Sequence, residues 1–121
     1  MAAPAPAVYA GSLRGTAPEI FRGDRTAADT FKRDFSLYRR MNTQSDLMIS
    51  PYLCCTVFLS LIKGPHVNNW VDTQLAQLID KTERLHNPID QHDEVLWTDL
   101  GTAFDRSFTD TNQKERAYNL I

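Results

Sequence analysis

Residues 52–62, Tyr-Leu-Cys-Cys-Thr-Val-Phe-Leu-Ser-Leu-Ile, constrain this chain most, because they are apolar around most of the circumference of a helix. Ser50-Pro51 just before them supplies an N-cap and the residue suited to a first helical position. Gly64-Pro65 just after supplies a left-handed stop and a new helix start, so a sharp corner is expected there. A helix with so little polar surface must be central, with other elements packed around it. By periodicity alone Val57 to Ile62 also fits a short buried strand, and length together with the Ser-Pro start argues for helix. The run is far shorter than the ~18 apolar residues of a membrane span, so a membrane partner is not expected.

The neighbouring blocks supply that packing. Thr26 is a plausible N-cap with Asp29 at N3, and Ala28, Phe31, Phe35 and Tyr38 then fall on one stripe that ends near Met41-Asn42. Beyond the corner, Val67, Trp70, Val71, Leu75, Leu78 and Ile79 trace the next helix. Lys81 to Gln91 contains Asn87-Pro88 and several charges, which predicts a frayed helix end and a loop. A fourth helix opens near Gln91 to Asp93, with Trp97, Leu100, Phe104 and Phe108 in regular steps. Asp110 or Thr111 can cap a fifth helix through Ala117, Tyr118 and Ile121, which looks cut off at the terminus. The fold expected is therefore all-α, a compact bundle of about five helices. The core expected is Phe31, Phe35, Phe58, Leu61, Trp70, Leu75, Trp97, Leu100, Phe104 and Phe108, around a corner at Gly64 and Pro65.

Residues 1–17 are rich in Ala, Pro and Gly, lack the basic and apolar regions of a secretory signal, and read as a flexible leader. The domain is expected over residues 18–121. Composition suits a globular chain, with 42% hydrophobic and 23% charged residues among 121, and leaves room for one domain. The net charge of -2 divides unevenly, with seven Lys/Arg against five acids in residues 1–60 and six against ten thereafter. Lys32, Arg33, Arg39 and Arg40 form the one compact basic group, too small for a phosphate-binding face, so direct nucleic-acid binding is not expected. A solvated helix face is the plainer reading.

The search for chemistry yields little. His92 lies beside Asp90, Asp93 and Glu94, but without the i, i+4 pair that a helical zinc site would use, so acids favouring a helix N-terminus explain the group better. His66 and His86 stand apart from it. The side chains of adjacent Cys54 and Cys55 diverge by about 100° on a helix and suit neither a disulfide nor a metal cage. No serine sits in a nucleophile elbow, and Lys63-Gly64 has no glycine loop before it. No enzyme, cofactor or metal is expected. Arg22-Gly23-Asp24 spells an adhesion tripeptide, yet a turn leading into the first helix accounts for Gly23 and Asp24 directly.

The order Pro18-x-x-Phe21-x-Gly23, then Phe31-x-x-x-Phe35, then Leu61-x-x-Gly64-x-x-x-x-x-Trp70, then Trp97-x-x-Leu100-x-x-x-Phe104-x-x-x-Phe108 resembles the Gag polyprotein of Ty3/gypsy-type long-terminal-repeat retrotransposons, fungal members especially. The resemblance implies a capsid amino-terminal lobe, related to the Arc capsid-like lobe: a structural domain without an active site that builds cytoplasmic virus-like particles through other Gag subunits. It also implies a second lobe and often a zinc knuckle, neither of which occurs in these residues, so the chain reads as truncated at its C-terminus and weakly self-associating by itself. By analogy Lys32, Arg33, Arg39 and Arg40 are candidates for a subunit contact. The alternative is a domesticated module that captures peptides, with Ile20 and Phe21 marking an extended segment in an apolar groove that another peptide could enter.

Overall fold

The structure, a computed structural model, describes residues 13–109. Five α-helices make up this body: α1 (Arg25–Met41), α2 (Asp46–Ile49), α3 (Pro51–Ser60), α4 (Asn68–Ile79) and α5 (Val95–Phe108), with one π-helical turn at Asp80–Arg84. Apart from a single parallel bridge between Phe21 and Ile62, no strand occurs among the described residues. The segment expected to form a fifth helix after Asp110 lies outside them, and the short α2 was not anticipated.

Helix α3 sits between α2, α4 and α5, the central place that its apolar sequence requires. Ser50 caps it, its hydroxyl accepting from the Leu53 N–H at 3.4 Å, and Pro51 opens the first turn. The helix stops at Ser60, two residues short of the apolar run. Leu61 to Lys63 instead run alongside the incoming chain, where the Phe21 N–H donates to the Leu61 carbonyl at 2.9 Å and the Lys63 N–H to the Phe21 carbonyl at 3.0 Å. Val57 to Ser60 is thus helical, as the length and the Ser-Pro start argue, and Ile62 makes a single isolated bridge after the turn at Leu61. Gly64 then takes a φ of 142°, which only glycine adopts cheaply. A turn through Pro65 to Val67 separates the corner from α4, which begins at Asn68 and not at the proline.

The first helix begins earlier than expected. Asp24, not Thr26, is its N-cap, and the Asp24 carboxylate accepts from the Thr26 N–H at 3.0 Å and the Thr26 hydroxyl at 2.8 Å. Gly23 makes this possible with a φ of 103°, and a Cβ there would lie 2.9 Å from Val67. Ala28, Phe31, Phe35 and Tyr38 point inward along α1. The Phe31 and Phe35 rings join an aromatic cluster centred on Phe58, whose centroid lies 5.2 Å from Phe31, 5.0 Å from Phe35, 5.3 Å from Trp97 and 5.3 Å from Phe104. Offset and edge-on pairs of this kind bind beyond their area burial.

Of the expected core, Phe31, Phe35, Phe58, Leu100, Phe104 and Phe108 are buried, while Leu61, Trp70 and Trp97 are half-buried against the cluster. Leu75 does not belong to it. It is 38% exposed, because on α4 it is turned about 60° from buried Leu78 and away from the partly buried Val71. Leu96, not Trp97, leads the fully buried stripe of α5. Helix α4 also does not fray as expected. Its end widens into the π-turn, held where the Leu85 N–H donates to the Asp80 carbonyl and the Ile89 N–H to the Lys81 carbonyl.

Candidate functional site

Several titratable and nucleophilic side chains make structural contacts. The Asp90 carboxylate accepts from the His92 N–H at 2.7 Å and lies 3.3 Å from its ring, and this backbone hydrogen bond, aided by the ring, holds Asp90 below its ordinary pKa. The Asp93 carboxylate accepts from the Val95 N–H at 3.0 Å, just ahead of the first turn of α5. No group of three His, Cys, Asp or Glu residues among the described residues could hold a metal ion. Cys54 and Cys55 are both fully buried, and burial pushes each thiol up to about 12. The Cys55 thiol donates to the Leu96 carbonyl at 3.5 Å. No helix among the described residues is long and apolar enough to cross a membrane.

The four basic residues expected to share one contact surface separate into two kinds. Lys32 is drawn to α5 by an ion pair with Asp105 at 2.6 Å. Arg39 grips Glu94 through two hydrogen bonds of 2.9 and 3.2 Å, donates to the Met48 carbonyl, and lies 5.3 Å over the Trp97 ring. The Glu94 hydrogen bond also raises its pKa above the ordinary value. These two fasten α1 to its neighbours. Arg33 is exposed beside Asp34, and Arg40 is exposed with no ion-pair partner among the described residues. Next to Arg40 a shallow hollow of about 460 Å³ is lined by Met48, Ile49 and Trp97, with Ile49 exposed.

A second surface lies on the other flank of α1. After a bend at Gly15, the chain from Thr16 to Phe21 runs antiparallel to α1 and leaves a groove of about 590 Å³ between them. Pro18, Ile20 and Phe21 form one wall, and Phe31, Leu37 and Met41 the apolar part of the other. Leu37 and Met41 are 53% and 54% exposed, one helical turn apart. Phe21 differs from the displaceable segment expected. It is 2% exposed and its ring lies 5.3 Å from Phe31 and 5.2 Å from both Phe104 and Phe108, so it is a floor of the groove and a part of the core. Ile20 stays half-buried at the wall.

The expected boundary after residue 17 also shifts. Leu13 packs partly against the core, and the buried Asn42 side chain accepts from the Arg14 N–H and donates to the Arg14 carbonyl at 2.9 Å and the Tyr38 carbonyl at 2.8 Å. The remainder of the leader lies outside the described residues. Gly23 and Asp24 of the adhesion-like tripeptide serve the packing on Val67 and the cap of α1.

Fold and surfaces together define a small helical body with two exposed apolar hollows flanking one helix. No protein-family model, curated protein or solved structure matches the chain.

Proposed function

We propose that the chain is a structural, self-associating domain, a Gag-like capsid lobe that builds particles with further copies of itself. The observation that carries the reading is the convergence of the motif residues: Phe21, Phe31, Phe35, Trp70, Trp97, Phe104 and Phe108, spread over four separate stretches, belong to one aromatic cluster or pack against it. A rigid body of this size with several modest surfaces suits an assembly in which each subunit uses more than one interface. In this reading Arg33, Arg40 and Ile49, all exposed on α1 and α2, meet the neighbouring copy. The test is electron microscopy and sedimentation velocity of the protein made from its complete natural reading frame. Particles are expected, with lower yield for the Arg33→Glu/Arg40→Glu variant at unchanged melting temperature, and a monomer at every concentration overturns the reading.

The groove beside Leu37 and Met41 favours a second reading, a module that binds extended peptides. A reading frame that never assembles, yet retains an apolar peptide in this groove, selects it.

A further inference from the structure

We propose that the groove between the 16–21 segment and α1 is the docking site for the chain's own leader, residues 4–10, which folds back beside the segment it precedes. The described chain enters at the groove's end. Leu13 packs against the core, Arg14 is clamped by Asn42, and Gly15 takes a φ of 78° where a Cβ would meet the Met41 methyl at 2.6 Å. Everything before Leu13 is thereby tethered at the mouth of an apolar groove, where a short tether keeps the effective concentration in the millimolar range.

The leader's chemistry fits the cleft. Residues 1–13 contain no charged side chain, and residues 4–10 read Pro-Ala-Pro-Ala-Val-Tyr-Ala. Seven extended residues span about 22 Å. The α1 wall from Ala27 to Met41 is about 21 Å long at the helical rise. Gly11 to Gly15 supply a five-residue connection with glycine at both ends, within the usual range for a hairpin loop.

The backbone fits as well. Thr16, Ala17, Glu19 and Ile20 make no backbone hydrogen bond to any described residue, so this extended stretch offers a pairing edge. Donors alternate between the two edges of an extended chain. Pro4 and Pro6, two residues apart, delete donors from the same edge and leave those of Ala5 and Ala7 on the other. The Phe21 N–H and carbonyl face Leu61 and Lys63, so residues 16, 18 and 20 line the open edge, and a five-residue loop sets Ala10 opposite Thr16 and Val8 opposite Pro18. Ala10 and Val8 both keep the N–H that this pairing uses. Val8 and Tyr9 are the bulky apolar and aromatic residues of this segment.

The chain has three methionines, Met1, Met41 and Met48, so methyl-labelled methionine gives a reporter in the groove and one in the core. The full chain is compared with a Val8→Asp/Tyr9→Asp variant and with a chain lacking residues 2–12. Both changes are expected to move the Met41 methyl resonance and leave Met48 in place. A leader docked nine-tenths of the time slows amide exchange at its partners about tenfold, and the variants should lose that protection at Thr16 and Ile20. Unchanged Met41 resonance and unchanged exchange overturn the proposal. So does protection that disappears on dilution, because the occupant is then the leader of a second copy.

Discussion

Phe21→Ala tests whether the extended entry segment is structural. The substitution keeps both backbone hydrogen bonds to Leu61 and Lys63 and removes a ring that touches Phe31, Phe104 and Phe108. Buried Phe-to-Ala changes cost about 3–5 kcal/mol. Phe21 precedes α1 on a segment that can settle toward the gap, which places the expected cost at the low end, about 3 kcal/mol. For a body of this size each kcal/mol lowers the melting temperature by about 4–8 °C, so a fall of about 12–24 °C follows. Urea unfolding read by tryptophan fluorescence measures it, since Trp70 lies 5.0 Å from Phe108 and Trp97 lies 5.4 Å from Phe35. A double-mutant cycle with Phe108→Ala should give a coupling of about 0.5–1.5 kcal/mol for the edge-on ring pair. A single-mutant loss below about 1 kcal/mol with unchanged denaturant slope would refute the placement of this segment in the core.

Leu75→Ala should change stability by no more than about 0.5 kcal/mol, whereas Leu100→Ala should cost about 2–5 kcal/mol; equal losses in thermal melts would return Leu75 to the core. Asp24 and Asp90 are held below the ordinary carboxylate value of 3.8 mainly by their hydrogen bonds to Thr26 and His92. Their contribution to folding is therefore complete above that value and is lost as pH falls through the lower folded values; stability of the Asp24→Asn/Asp90→Asn variant matching the parent at every pH from 7 to 3 would contradict it. With both thiols buried and raised to about 12, iodoacetamide at pH 8 should label Cys54 and Cys55 only after urea unfolds the chain, and rapid native labelling seen by mass spectrometry would contradict the packing around α3.

Helices whose apolar faces and caps both lie in local sequence were legible. The α1 stripe from Ala28 to Tyr38 and the Ser50-Pro51 start of α3 need no knowledge of distant residues. The errors occur where a distant element competes. Leu61 and Ile62 would continue an apolar helix, but the arriving Phe21 gives their backbone a pairing partner, and Gly64 lets the chain leave in that direction. Leu75 has the spacing of a core residue on a helix drawn alone. The limited width of the face that α3 and α5 cover leaves it outside. Helix α2 has one turn and no periodicity to detect, only its Ser45 cap.

The surfaces were less legible than the core because a charge reveals its role only through its partner. Lys32 and Arg39 have the same local pattern as Arg33 and Arg40. What distinguishes them is Asp105, 73 residues away, and Glu94, 55 residues away. Pairing at that separation holds α1 against α5 from one flank, while Phe21 and Asn42 hold the entry segment along the other. Helix α1 thus has a fastened edge and an open one. Its open edge carries Leu37 and Met41, and its exposed crest carries Arg33 and Arg40. A partner meeting α1 there would leave the Lys32–Asp105 and Arg39–Glu94 pairs intact, so binding there need not compete with folding.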